Sequence, residues 1–327
     1  MSERIERHRQ KVQLTKAGLT ITKLSFGTAP LGGLYTSISE ADADDVVAAA
    51  FEEGINYFDT APLYGHGRSE TRLGRGLSRA KVPFVLSTKI GEVLNPTVNA
   101  NTSWFADADR GLEPVFDFSR NGVLRSIDES LERLGVEHID IVYIHDPDDY
   151  VDIALNESYP ALHDLRSQGV IKAIGIGMNQ SAVPTRFVNE TDIDIVLIAG
   201  RYTLLDQSAQ ADLFPAARRK NVAIVIGGVY NSGVLANPNP GATYDYLPAS
   251  DEIISRARAV RDVLSEFDVS LTAAALQFPL RHPAVSAVLT GSRNANELRA
   301  NIEDFDRDLS DEIWEALQDR GLVVPIG

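Results

Sequence analysis

FDTAPLYGHGRSE (58–70) follows an apolar, strand-like approach, INYFD (55–59), that ends in a carboxylate, Asp59, and is followed five residues later by Tyr64. Burying an ionised carboxylate is costly unless it is paired, so Asp59 needs a partner. Two further strand-like runs end in polar groups of complementary chemistry: FVLSTK (84–89) ends in Lys89, and IDIVYIH (139–145) ends in His145. Parallel barrels collect their functional groups at the carboxyl ends of their strands. An acid, a phenol, an ammonium and an imidazole at or just after three consecutive strand ends are therefore expected to meet at one barrel mouth.

Working outward, strand-like runs begin near residues 24, 55, 82, 139, 171, 193, 222 and 285, with helical patterns between them. The later runs, such as IKAIGIG (171–177) and VAIVIGG (222–228), are apolar without alternation, as strands buried on both faces are. Eight strand–helix pairs predict a (β/α)8 TIM barrel, of class α/β, with residues 1–327 forming one domain. An open doubly wound sheet is the competing architecture, but GTAPLGG (27–33) does not have the G-x-G-x-x-G spacing of its nucleotide turn. The stretch 10–30 reads as an N-terminal β-hairpin turning at Ala17–Gly18 and leading into the first strand. LSDEIWEALQDRG (309–321) reads as a C-terminal helix capped by Ser310. The charged residues 1–9 are expected to be a mobile tail. The stretch 91–118 lacks helical or strand periodicity and reads as a long, substrate-covering loop.

The sequence has 31 basic and 46 acidic residues, a net charge of −15, which opposes binding to nucleic acid or anionic membranes. With no cysteine there can be no disulfide, thiolate metal site or cysteine nucleophile. No apolar run approaches the roughly 20 residues of a membrane span, and Met1–Gln13 lacks the apolar core of a secretory signal. A cytoplasmic protein acting on a small-molecule substrate is expected; the oligomeric state is left open.

Delivering a proton to the alkoxide that forms when a carbonyl is reduced, or removing it in the reverse oxidation, requires a positioned acid–base group. Tyr64 is the candidate. Lys89 nearby favours its phenolate, Asp59 holds Lys89 charged, and His145 can donate a hydrogen bond to the carbonyl oxygen. His66 is expected at the rim. His8, His138, His163 and His282 are read as surface or packing residues. Asp146, Asp148 and Asp149 are read as a solvated acidic turn and not as a metal site. Trp104 and the phenylalanines near it, Phe105 first, either line the substrate pocket or pin the loop. Gly27–Gly33 is read as a place of close backbone packing.

FDTAPLYGHGRSE, LSTKIG (86–91), LRSIDESLERLGVEHIDIVYIHDPD (124–148) and LTGSRNANELRANI (289–302) resemble the aldo-keto reductase superfamily over essentially the whole chain. GMNQ, LIAGRYTLLDQ and GGVYNSG resemble its branch containing L-fucose and D-threo-aldose 1-dehydrogenases and pyridoxal 4-dehydrogenase. The resemblance implies an oxidoreductase using NAD or NADP, with Tyr64 as acid–base, Lys89 and Asp59 tuning it, and His145 orienting the substrate. Oxidation of an aldose at C1 to the lactone is the leading expectation. Pyridoxal oxidation, general carbonyl reduction and a non-enzymatic, cofactor-binding redox sensor are the alternatives, and a pure sensor has no need of the tetrad. The resemblance also assigns Gly291, Ser292, Arg293 and Asn301 to the dinucleotide and Asn179 to its carboxamide. Met178 and Ala199 stand where the family has a serine and a glutamine. A glycine of GGVYNSG replaces the tyrosine that stacks on nicotinamide, so either Tyr230, a couple of residues away, takes that role or no residue does. Glu297 stands where many NADP-using relatives carry a basic residue, and Arg293 either supplies charge to a 2′-phosphate or pairs with Glu297.

Overall fold

The structure, a computed structural model, describes residues 6–101 and 104–326. Strands β1 (Lys11–Leu14) and β2 (Leu19–Thr22) form the N-terminal antiparallel hairpin. The strands β3 (Leu24–Gly27), β4 (Tyr57–Asp59) and β5 (Val85–Ile90) start the barrel, and β6 (Glu92–Pro96) pairs with β7 (Leu112–Phe116) in a separate antiparallel arm. Barrel strands β8 (Ile141–His145), β9 (Ala173–Met178), β10 (Ile195–Ala199) and β11 (Ala223–Gly227) follow. After the short hairpin of β12 (Thr243–Tyr244) and β13 (Leu247–Pro248), β14 (Val285–Thr290) closes the barrel against β3. All eight barrel pairings are parallel, in the order β3-β4-β5-β8-β9-β10-β11-β14.

The first two helices are α1 (Glu40–Glu52), capped by the Ser39 side chain as expected, and α2 (Arg68–Leu77), which follows the Tyr64 turn. The others are α3 (Arg120–Leu134), α4 (Val151–Ile153), α5 (Tyr159–Ser167), α6 (Ala182–Glu190), α7 (Leu213–Lys220), α8 (Asp251–Ser265), α9 (Leu271–Gln277), α10 (Ala295–Asp306) and α11 (Asp311–Asp319). Ser310 occupies the N-cap position of α11 but makes no side-chain capping hydrogen bond, contrary to expectation.

The apolar residues divide into two buried groups. Phe26, Phe58, Leu86, Val142, Ile144 and their neighbours pack outward against the helices. Tyr57, Val85, Ile141, Tyr143, Ile195 and Leu197 fill the barrel interior, where Leu14, Leu19 and Ile21 of the hairpin join them. Side chains alternate faces along a strand. Tyr57 and Asp59 therefore share the inward face of β4, Val85, Ser87 and Lys89 that of β5, and Ile141, Tyr143 and His145 that of β8. Asp59 and His145 are the last residues of their strands, and Lys89 is the last inward residue of its own.

Two further expectations fail. Residues 92–96 and 112–116 pair as antiparallel strands, so the stretch they lie in is not without strand structure. Each arm strand carries a proline, which a two-stranded edge tolerates but which obscures strand periodicity. The tail is also anchored from residue 6 onward. His8 is buried, its amide donates to Asp306 Oδ1 at 2.9 Å and its Nδ1 lies 2.7 Å from Asp306 Oδ2. Residues 1–5 of that tail lie outside the described residues.

Candidate active site

Asp59 and Lys89, each 1% exposed, form an ion pair with Lys89 Nζ 2.6 Å from Asp59 Oδ2. The same ammonium donates to the Thr60 carbonyl at 2.8 Å and lies 4.7 Å from the centre of the Tyr64 ring. The Tyr64 and His145 rings meet edge to face, with centroids 6.1 Å apart. The four residues singled out in the sequence thus converge. Three barrel strands and the turn after β4 bring them together.

Beneath them runs a buried hydroxyl chain. Ser87 Oγ donates to Asp59 Oδ1 at 2.6 Å, the Tyr57 hydroxyl lies 3.0 Å from Ser87 Oγ, and the Tyr143 hydroxyl lies 2.9 Å from that of Tyr57. Burial first, and the Asp59 charge among the other causes, hold both tyrosines well above the usual phenol range, so both act as neutral hydrogen-bonding groups. Ser87 was missed in the sequence, although its place two residues before Lys89 on the same strand face is the signal that finds it.

The electrostatics around Tyr64 differ from expectation. Loss of hydration, then Asp59, Asp146 and Glu92, raise its pKa well above 10. Lys89 is committed to Asp59 and the Thr60 carbonyl, and it faces the ring. Tyr64 therefore carries its proton at neutral pH. Asp146 is likewise not a freely solvated turn residue. Its Oδ2 lies 3.6 Å from His145 Nε2, and burial raises its own pKa. On the other side of the ring, Glu92 Oε2 lies 3.3 Å from His145 Nδ1. Burial pulls the imidazole down, but Asp146 and Glu92 outweigh it and leave His145 above its ordinary value. The sequence reading missed Glu92 because nothing in residues 91–118 marked it as the start of a strand.

The arm reaches back over Tyr64. The Ala106 amide donates to the Gly33 carbonyl and the Tyr35 amide to the Trp104 carbonyl, at 2.8 and 3.0 Å. Phe105 is buried, its ring 6.0 Å from that of Tyr64. Trp104 is about half exposed and lies 5.8 Å from Tyr246, whose ring is 6.4 Å from Tyr35. The phenol of Tyr246 is raised by burial and then by Tyr64. Asp245, beside it, receives a bidentate pair from Arg201 at 3.0 and 2.8 Å. Tyr35 and Tyr246 were not foreseen; their strained positive φ angles of 62° and 63° have no sequence signature in non-glycine residues. His66 is not a rim residue. It is buried, with Nδ1 2.8 Å from the Leu112 carbonyl at the arm's second strand. Gly32 does serve close packing, because a Cβ there would lie 2.6 Å from the carbonyl carbon of Tyr64.

Around α10 the remaining candidates form a second group. The Tyr230 hydroxyl donates to Asn301 Oδ1 at 2.8 Å, and Asn301 Nδ2 donates to Ser292 Oγ at 3.1 Å. Tyr230 is thus joined to Asn301. Gly291 and Arg293 flank buried Ser292 just ahead of α10. Arg293 pairs with Glu297, its Nη2 and Nε lying 2.6 and 2.9 Å from Oε1, and its amide donates to Glu297 Oε2 at 2.8 Å. Asn294 caps the Glu297 amide, leaving the amides of Ala295 and Asn296 as the free donors of the helix start. Asn179, just past β9, makes no hydrogen bond to a described residue from its carboxamide, and the buried Asn231 Oδ1 has no partner either. Among the described residues no group of His, Asp and Glu is arranged to hold a metal.

The aldo/keto reductase family model matches residues 23–320. The chain belongs to the aldo/keto reductase family. It is 40% identical to a pyridoxal 4-dehydrogenase of Microbacterium luteolum, over 96% of this chain and 98% of the relative. It is 39% identical to a D-threo-aldose 1-dehydrogenase of a Pseudomonas species, over 94% and 96%. Among solved structures, a Bacillus halodurans aldo-keto reductase in its holo form matches with a TM-score of 0.77 at 25% identity, covering 98% of both chains. This aldo/keto reductase is therefore an oxidoreductase on a closed parallel barrel. None of its described helices is long and apolar enough to cross a membrane.

Proposed function

We propose that this aldo/keto reductase oxidises the anomeric carbon of an aldose, of the L-fucose or D-threo-aldose type, to the lactone by hydride transfer. The observation that carries the reading is the meeting of the Tyr64 and His145 rings edge to face, with the Lys89 ammonium, paired to Asp59, 4.7 Å from the Tyr64 ring centre. The names of the two relatives support the substrate class, since aldoses and pyridoxal both close to cyclic hemiacetals. Pyridoxal oxidation is accordingly the second reading, and the aromatic surface of Trp104, Phe105, Tyr246 and Tyr35 suits either ring. We assign the domain to residues 1–327, with 91–118 covering the substrate, and we place the protein in the cytoplasm without nucleic-acid or membrane partners.

The residues present fit a nicotinamide dinucleotide. The free amides at the start of α10 suit a phosphate, and the carboxamide of Asn179 is available to a polar ring substituent. Bound there, NAD or NADP supplies the hydride acceptor. Gly291, Ser292, Arg293 and Asn301 would hold its phosphates and adenosine, with Tyr230 bracing Asn301. Among the chain's own groups, Tyr64 exchanges the substrate's hydroxyl proton at its phenol oxygen and His145 orients that oxygen. Lys89, fixed by Asp59, places a positive charge under the Tyr64 ring.

The test is incubation with NAD or NADP and L-fucose, D-arabinose, L-galactose and pyridoxal, following reduced-nicotinamide absorbance. Turnover of an aldose supports the first reading, and turnover of pyridoxal alone moves the assignment to the second. No turnover on any of the four refutes both.

A further inference from the structure

Gly91, between β5 and β6, has a φ of +122°, and a Cβ there would lie 2.6 Å from the Phe118 ring and 3.0 Å from the His145 carbonyl oxygen. Only glycine takes that conformation readily. The turn brings the next residue, Glu92, back over the end of β8, with its side chain buried beside His145. The base of the arm is thereby tied to an imidazole that faces the reacting groups.

A carboxylate accepts hydrogen bonds only. Glu92 at Nδ1 therefore fixes a proton on that nitrogen. The other nitrogen, Nε2, then decides what His145 can do for a substrate oxygen. In the neutral ring Nε2 is a bare acceptor; in the imidazolium it is a donor. The second carboxylate, Asp146 on the Nε2 side, also favours the doubly protonated ring. The charged and titratable neighbours from every packed element are Glu92 on the arm, Asp146 after β8, Lys89 on β5 and Tyr64 after β4, with Asp148 bearing on Asp146. Lys89 opposes protonation of the ring, but its charge is already paired with Asp59.

We propose that Glu92 is a positioning residue that holds His145 as a singly charged imidazolium protonated on both nitrogens, with Nδ1–H donating to Glu92 and Nε2–H donating to the substrate's carbonyl oxygen. The inference deepens the proposed reaction and rests on that reading for its catalytic consequence, though not for the protonation state itself. The arm that covers the cleft is then also the element that sets the charge of the group orienting the substrate.

The experiment is an NMR titration of 15N-histidine-labelled protein without substrate, with the His145 signals assigned by their loss in H145N. It compares the natural protein, E92Q and the charge-preserving E92D. His145 is expected to titrate above the free-imidazole value of about 6.5 and to fall by about 1–2 pH units in E92Q, with partial recovery in E92D. A His145 titration unchanged in E92Q, in a protein whose circular dichroism shows it folded, overturns the proposal. In parallel, kcat/KM for aldehyde or lactone reduction is followed against pH. The limb on which activity is lost as pH rises should move down by the same interval in E92Q, with activity recovered at low pH. A uniform loss at every pH overturns the proposal, because it is what a purely structural role produces. Absence of all turnover alongside the expected NMR shift would refute the substrate reading and leave the role of Glu92 standing.

Discussion

Replacing Lys89 by methionine tests the central pair. At 2.6 Å and an effective dielectric of about 20, the gross attraction between the two charges is roughly 6 kcal/mol. Most of it is offset by the desolvation of both groups, so the measurable quantity is what happens when one charge is left alone. Lys89→Met leaves Asp59 buried with only the Ser87 hydroxyl donating to it from a side chain. Such a truncation costs about 3–5 kcal/mol. With an unfolding entropy near 2.1 cal/mol/K per residue over this chain, that corresponds to a fall in Tm of about 4–7 °C. Asp59→Asn should cost a similar amount, by stranding the ammonium against the Thr60 carbonyl. The double variant removes both charges and should recover at least half of either loss while remaining without turnover. Urea unfolding of the four proteins, read as a double-mutant cycle, measures the coupling. A single-variant loss below about 1 kcal/mol, or a double variant whose loss is the sum of the two singles, would refute the reasoning.

Because the Tyr64 pKa is raised well above 10, its phenolate fraction in the free protein should grow tenfold per pH unit through the neutral and alkaline range. Aldose oxidation should then rise toward one logarithmic unit of kcat/KM per pH unit, and a plateau below pH 9 would contradict the assignment. Tyr64→Phe should abolish turnover yet bind dinucleotide as the natural protein does, measured by nucleotide titration of intrinsic fluorescence; retained turnover would remove Tyr64 from the mechanism. Glu297 engages both the guanidinium and the amide of Arg293, so NAD should be preferred over NADP. Glu297→Gln should shift the ratio of kcat/KM values toward NADP by about tenfold, within the range of a charge-assisted hydrogen bond, and an unchanged ratio would free Arg293 of any part in selection.

The barrel was legible because both-face burial leaves continuous apolar runs, and because strand alternation is strict. Once IDIVYIH is read as a strand, Ile141, Tyr143 and His145 must share a face, and the same rule joins Val85 and Ser87 to Lys89. The positions of Asp59, Lys89 and His145 follow from local pattern alone. The charge state of Tyr64 does not. It depends on Glu92 and Asp146, which reach it from other segments, and on burial that no local window reports. Lys89 was a sound candidate for favouring the phenolate by proximity, but proximity in sequence pattern does not say that the ammonium already has two oxygen partners.

The arm was illegible for a related reason. Its strands are five residues long and include Pro96 and Pro114, and a lone two-stranded hairpin is marginal in water. Its position is fixed by tertiary contacts: backbone hydrogen bonds from Tyr35 to Trp104 and from Ala106 to Gly33, His66 against the Leu112 carbonyl, Phe105 against Tyr64, and Glu92 against His145. Two of those contacts fall on Tyr64 and His145. A segment that took its shape from its own periodicity would have no need to press on Tyr64 and His145. The arm meets Tyr64 through Phe105 and His145 through Glu92, so the tertiary contacts that pattern reading cannot see are the ones that tie it to the charge of these two groups.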